Sequence, residues 1–539
     1  MMRMLRILSV GLVAVAFVAS AMADFDGPAP LAWRWIQPTN NAPVGTPTVV
    51  DNTVYVAVGN RMYALDKETG NQKWKFPLVD PIEGNFKSKV TVIDGLAIAT
   101  GDNKTIYAVD AKTGESRWSY IATSPIYKEP VFASKFVVFG MSDNSLMAIN
   151  ASDGQPAWAA PIKVFDGFLG KLAAHQSNVF YFTNSYEMVS VSATTQKVNW
   201  KQRFSVLGPD TEVLNLSDNL FVNTGTYIVG MSTLNGRKVF EANANEALAF
   251  APAANGESVL GVSLDGKVHL FGSNGRPLVR KDIDLGSQPA TSPSVIGKFY
   301  AVPTKNGAIN LIDSKTGDIV WSYLVRPIGD QSAQPAAGQG APGGFGGPGR
   351  GGGGGGSQTQ NVAKVLAIPA AGPAMLSGDT LMMLTVDGSL LAFDKTLGVD
   401  LTAPSVKMLW PNAGDLVSGQ PPLELIFKID DEASGINTKT LKIDIDGKEM
   451  EYEFGRDGIA VVRISSLSKN KPLVDGRKTI SVIVSDWMGN QAVTRFFLVI
   501  DNTLKPLQRP TGTDNTGGLG GGGGKGGLGG GGGGKGGTD

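Results

Sequence analysis

MYALDKETGNQKWKF, residues 62–76, alternates like a strand from Met62 to Leu65, turns through Asp66 to Gly70 and runs out again toward Trp74. IYAVDAKTGESRWSY, residues 106–120, repeats it with Ala, Asp, Thr, Gly and Trp in the same places. Each residue type has a physical role in such a hairpin. A short Asp side chain accepts hydrogen bonds from the turn amides, and Gly supplies a positive φ. The Trp on the returning strand offers a large flat surface to a neighbouring sheet, and burying it contributes on the order of 3 kcal/mol.

The hairpin recurs along the chain. Asp66, Asp110, Asn150, Ser192, Ser232, Phe271, Asp313 and Asp394 align at its start. Gly70, Gly114, Gly154, Gln196, Gly236, Gly275, Gly317 and Gly398 follow at the glycine position. Trp74, Trp118, Trp158, Trp200, Phe240, Val279 and Trp321 come four residues later. The spacing stays near 40 residues, the period of a four-stranded propeller blade, and two more strand-like runs precede each hairpin. A Gly-rich insertion at about 329–356 lengthens one interval. The eighth turn has no return strand of its own, because Leu401-Thr402-Ala403-Pro404 reads as a linker. Leu31 to Ile36 supplies the missing strand, with Trp35 standing 39 residues before Trp74. The expectation is an all-β, eight-bladed propeller over residues 24–402, closed by its N-terminal strand so that no free edge remains.

Ala64-x-Asp66-x-x-Thr69-Gly70-x-x-x-Trp74, with its copy from Ala108 to Trp118, resembles the repeat of PQQ-like (pyrroloquinoline-quinone-type) propellers. The resemblance covers residues 24–401 or so, and it implies either a quinoprotein dehydrogenase or a non-catalytic, BamB-like relative. Quinoproteins hold the quinone and Ca²⁺ near the axis with a Glu, an Asn and a catalytic Asp, and many add a vicinal disulfide. This chain has no Cys at all, and Asp66, Asp110 and Asp313 are accounted for as turn residues. The resemblance therefore implies the non-catalytic branch.

Other chemistry is excluded by composition. Without Cys there is no thiolate nucleophile, Cys-ligated zinc or iron–sulfur cluster. His175 and His269 have no sequence partner that would make a metal site or a nucleophile pair, and no phosphate-binding or dinucleotide motif occurs. Lys plus Arg equals Asp plus Glu at 48 each, so no net field recruits nucleic acid. No catalytic, cofactor-binding or metal residue is assigned from the sequence, and no cofactor is expected, PQQ with calcium included.

Residues 1–23 read as a signal peptide. Arg3 and Arg6 precede an apolar run, and Ala21-Met22-Ala23 forms a cleavage site. The chain is thus expected to be exported, to the periplasm or cell surface, with no transmembrane segment and no lipid anchor at the cleavage point. Beyond Pro404 the period changes, and about seven short strands over residues 403–502 suggest an immunoglobulin-like sandwich. Asp431 to Ile436 and Val484 to Asn490 resemble stretches of bacterial Ig-like surface domains. Asp430, Asp431, Glu432 and Asp486 could offer oxygen ligands to Ca²⁺ if their loops meet; the reading preferred here is ordinary turn carboxylates. Residues 503–539 are a Gly-rich tail, expected to be disordered.

The sequence thus points to a non-enzymatic, exported cell-envelope scaffold whose partner is an envelope protein or cell-wall polymer. The alternatives are a PQQ-dependent oxidoreductase and a carbohydrate-binding surface protein.

Overall fold

A computed structural model describes residues 25–36, 42–208, 211–281, 283–327, 367–455 and 457–507. The segment read as a signal peptide, the Gly-rich insertion and the tail beyond 507 lie outside the described residues. Eight four-stranded antiparallel sheets follow one another, the first built from Thr48–Val50, Thr53–Val58, Arg61–Asp66 and Gln72–Phe76. The eighth comprises Met375–Ser377, Thr380–Leu384 and Leu390–Phe393, and its outer strand is Leu31–Trp35 from the N-terminus. The eight-bladed ring and its closure stand as the sequence indicates.

The turn chemistry is also as read. Asp66 Oδ1 accepts from the amides of Glu68 and Thr69 (both 3.1 Å), and Asp110 Oδ1 does the same for Lys112 and Thr113. Gln196, at a glycine position, takes the left-handed conformation with φ 58°, so the turn geometry outlasts the residue change. Gly114 has a further role. A Cβ there would stand 2.8 Å from the Trp74 ring of the preceding blade, and Gly154 faces Trp118 in the same way. Trp74, Trp118 and Trp200 thus lie on the next blade's glycine while each indole donates to a carbonyl one residue beyond the position that aligns with Asp66. Trp74 donates to Ala111 O (3.0 Å), Trp118 to Ala151 O (3.1 Å) and Trp200 to Thr233 O (2.9 Å).

Two details depart from the sequence reading. Trp33, not Trp35, holds this docking position in the closing strand: it pairs with Ala392, covers Gly70 and donates to Lys67 O (2.9 Å). A β-bulge between Leu31 and Trp33 sets the phase, and Trp35 packs instead on Tyr63 with ring centroids 5.0 Å apart. Trp158 lies ahead of a return strand of only two residues, Ile162–Lys163, yet still reaches Ala193 O (2.7 Å).

Residues 405–500 form a second unit of two facing sheets. One contains Ser405–Trp410, Leu423–Asp430, Ile459–Ile464 and Glu453–Phe454. The other contains Leu416–Val417, Gln491–Ile500, Gly476–Asp486, Ile436–Ile445 and Lys448–Glu449, with Leu416–Val417 parallel to Gln491–Ile500. The alternate residues Leu423, Leu425, Phe427 and Ile429 turn inward to meet Ile480, Val482 and Val484, which gives the sandwich its own core. The strand count is nine rather than about seven, because three pieces of only two residues join the sheets.

Candidate functional site

The seam between blades seven and eight breaks the repeat. Trp321 should cover the eighth turn; instead its indole donates to Ser434 O of the sandwich (3.0 Å). Gly398, left without a Trp, faces Pro30. Gly435, with φ +84°, brings its backbone close to Ser322 and Tyr323, where a Cβ would stand 3.1 Å from Ser322 O. Tyr323 donates to Glu432 O (2.6 Å), Leu31 N donates to Ala433 O (2.8 Å), and Arg326 pairs with Asp430. The loop 430–435 is therefore wedged against the outer strands of blades seven and eight. Trp321→Phe keeps an aromatic side chain but removes the indole N–H donor and part of the ring volume. It should cost about 2–4 kcal/mol, from the unpaired buried carbonyl and the gap left behind, checked by denaturant melts against wild type.

Of the four carboxylates considered for calcium, the fold brings two together. Asp431 and Asp486 meet Asp400 of the interdomain connection, with one oxygen from each within 4.8 Å of the others, and all three are buried. Asp430 is engaged with Arg326 and Lys428 instead, and Glu432 is not one of the three carboxylates that meet among the described residues. The preferred reading, turn carboxylates, describes much of the bonding. Asp400 Oδ1 accepts from Thr402 N (3.0 Å), Asp431 Oδ2 from Ser434 N (2.9 Å) and Gly435 N (2.5 Å), and Asp486 from Asn490 N (2.8 Å) and Nδ2 (2.7 Å). Burial works to raise Asp400, but hydrogen bonds from Ser434 and Thr402 together hold it below the usual carboxylate range. Asp431 goes the other way: burial, with Asp400 and Asp486 beside it, pushes it up to about 6. Asp400 was missed in the sequence because its partners stand 31 and 86 residues away. The signal available was an Asp-x-Thr turn at a domain boundary.

Near the inner strands of blades four, five and seven, three polar groups bond one another. Lys171 pairs with Glu212, which also accepts from Ser292 Oγ (2.7 Å), beside a cleft of ≈ 410 Å³ lined by Thr211, Asn223, Phe250 and Lys305. The carboxylate is thus already committed to a cation and a hydroxyl. His175 contacts Asp218 (3.2 Å) and Asn215 (3.0 Å), while His269 pairs with Glu246 (3.3 Å) in another blade, so the two histidines share no site.

Exposed apolar side chains stand at both ends of the ring, and the most exposed of them lies on one end. Segments linking successive blades and the turns between second and third strands lie at one end of every blade. On that end Leu78, Val79, Val206 and Leu264 are exposed, and Phe165 is fully so at 103%.

Fold and repeat define the class: residues 31–394 form an eight-bladed β-propeller whose repeats are similar to the PQQ-like type. Residues 31–82 and 78–163 match the family model described as outer membrane protein assembly factor BamB. No curated protein matches the chain. Among solved structures, BamB from Moraxella catarrhalis aligns at 14% identity with a TM-score of 0.49, over 68% of this chain and 99% of that one. The computationally designed protein Ika8 aligns at 12% identity and 0.50, over 68% and 100%. A europium-containing methanol dehydrogenase aligns at 13% and 0.44, over 66% and 84%. Among the described residues no helix is long and apolar enough to cross a membrane.

Proposed function

We propose that the chain is an exported, non-enzymatic scaffold of the cell envelope that holds a protein partner on the loop face of its propeller. The observation that carries this reading is the set of apolar side chains, Phe165 foremost, standing in solvent on one end of the ring. An interface core built on such residues is depleted in charge and rich in aromatics. The match of residues 31–163 to an outer membrane assembly factor supports an envelope protein as the partner class. The signal-like N-terminus supports export. The sandwich fits the immunoglobulin type: numbering its strands in chain order gives A-B-E-D on one sheet and G-F-C on the other, with the short parallel strand beside G.

A photo-crosslinking residue at Phe165 or Val79 should give discrete protein adducts in intact cells, and one at Leu234, exposed on the opposite end, should not. Phe165→Asp should abolish the adducts formed from position 79 at unchanged stability, since a fully exposed side chain contributes little to folding. Equal labelling from both ends would refute the assignment. Quinone-dependent dye reduction after reconstitution with PQQ and Ca²⁺ would refute the non-enzymatic part.

A further inference from the structure

We propose that Asp400, Asp431, Asp486 and the hydroxyl of Ser434 form a calcium site that locks the sandwich onto the propeller. The donors are all hard oxygens, three of them carboxylate, which suits Ca²⁺ rather than a transition metal. Their mutual spacing, within 4.8 Å, fits ligands lying about 2.3–2.6 Å from one ion. Three buried carboxylates this close repel one another by about 3 kcal/mol per pair at an effective dielectric near 20. Among the described residues no Lys, Arg or His forms an ion pair with any of them; the nearby Arg326 is spent on Asp430.

A second observation points to the same ligand. Ser434 is wholly buried, and its Oγ finds no partner in good hydrogen-bond geometry, although it stands close enough to Asp400 to help lower that carboxyl. Its amide donates to both Asp400 Oδ2 (3.1 Å) and Asp431 Oδ2 (2.9 Å), which fixes the residue against the cluster, with the hydroxyl beside Asp400. A sealed hydroxyl among carboxylates is costly unless something uses its lone pairs. A cation does so, and it also offsets the mutual repulsion of the three carboxylates. Access is provided by a cleft of ≈ 330 Å³ along the junction, which Asp431 lines together with Trp321, Arg326 and Trp487.

The position gives the ion a structural consequence. Asp400 belongs to the connection leaving blade eight, Asp431 and Ser434 to the loop that receives Trp321, and Asp486 to the propeller-facing end of strand Gly476–Asp486. One ion would therefore tie the two domains at the point where the repeat is interrupted, independently of which partner the loop face holds.

The test uses the full exported chain, stripped with chelator and titrated with CaCl2 alone by calorimetry and by Trp fluorescence. One equivalent should bind, and the melting temperature should rise with calcium. Asp400→Asn with Asp486→Asn should weaken binding by about tenfold or more, and Ser434→Ala should also weaken it. Asp501→Asn, a turn carboxylate elsewhere in the sandwich, should leave it unchanged. In chelator Asp431→Asn should melt above wild type because repulsion is relieved, and in calcium the order should reverse. Absence of both heat and stabilisation in the wild-type chain at about 10 mM Ca²⁺, roughly tenfold beyond the weakest extracellular sites, overturns the proposal. So does binding that survives the double variant; if that variant does not fold, the Ser434→Ala titration decides by the same criterion.

Discussion

A chain lacking residues 31–36 is expected to aggregate on expression instead of yielding a soluble ring. The deleted strand is the outer edge of blade eight, with Leu31 opposite Phe393, Trp33 opposite Ala392 and Trp35 opposite Leu390. Its removal leaves Leu390–Phe393 as an open edge whose residues are buried in the closed ring, a template for pairing with other chains. It also uncovers Gly70, frees Lys67 O and removes Arg34, which reaches Arg326 O (2.6 Å) and Asp387 (3.3 Å). The Leu31 amide bond to Ala433 goes with it, so the loss extends to the sandwich. Deleting residues 511–539, a much longer and Gly-rich stretch, is expected to leave the unfolding midpoint unchanged, because its composition offers little apolar surface to bury. Sedimentation and denaturant melts of the two truncations make the comparison; a soluble, equally stable chain without residues 31–36 would contradict the ring closure.

Trp74→Ala should destabilise the propeller by about 3–5 kcal/mol. The ring is buried between blades one and two, lies on Gly114, packs on Tyr55 at 5.9 Å and donates to Ala111 O. Truncation creates a cavity that the two sheets cannot close without shifting Gly114's turn, and it orphans a carbonyl. Thr69→Ala, in the preceding turn, removes only an exposed hydroxyl bonded to Asp66 (3.1 Å) and to the Asn71 amide (3.3 Å), and should cost far less. Urea midpoints measured side by side decide the matter. Equal shifts would mean that the indole is not the inter-blade wedge.

The repeat was legible because its causes are local. An Asp that bonds its own turn, a residue that tolerates positive φ, and a flat aromatic on the return strand are each short-range requirements, and eight copies in register leave one architecture. The phase of the closing strand was legible too, but from a subtler sign than a residue count. Return strands carry aromatic pairs two apart, as in Trp74 and Phe76, Trp118 and Tyr120, or Trp321 and Tyr323, which assigns Trp33 and Trp35 as first and second members. Counting back from Trp74 to Trp35 alone ignores variable blade lengths and the bulge, and so selects the wrong ring. The junction lay beyond any such reading. Trp321 looks in sequence like every other docking Trp, and only the packing of the sandwich diverts its indole to Ser434. Asp400, Asp431 and Asp486 sit in turns that each make local sense, so nothing in the sequence requires them to converge. Sequence alone determined the blades, because short-range hydrogen bonding and period dictate them. The tertiary structure decided the seam and the buried acid cluster, because those follow from how two separately folded cores press together.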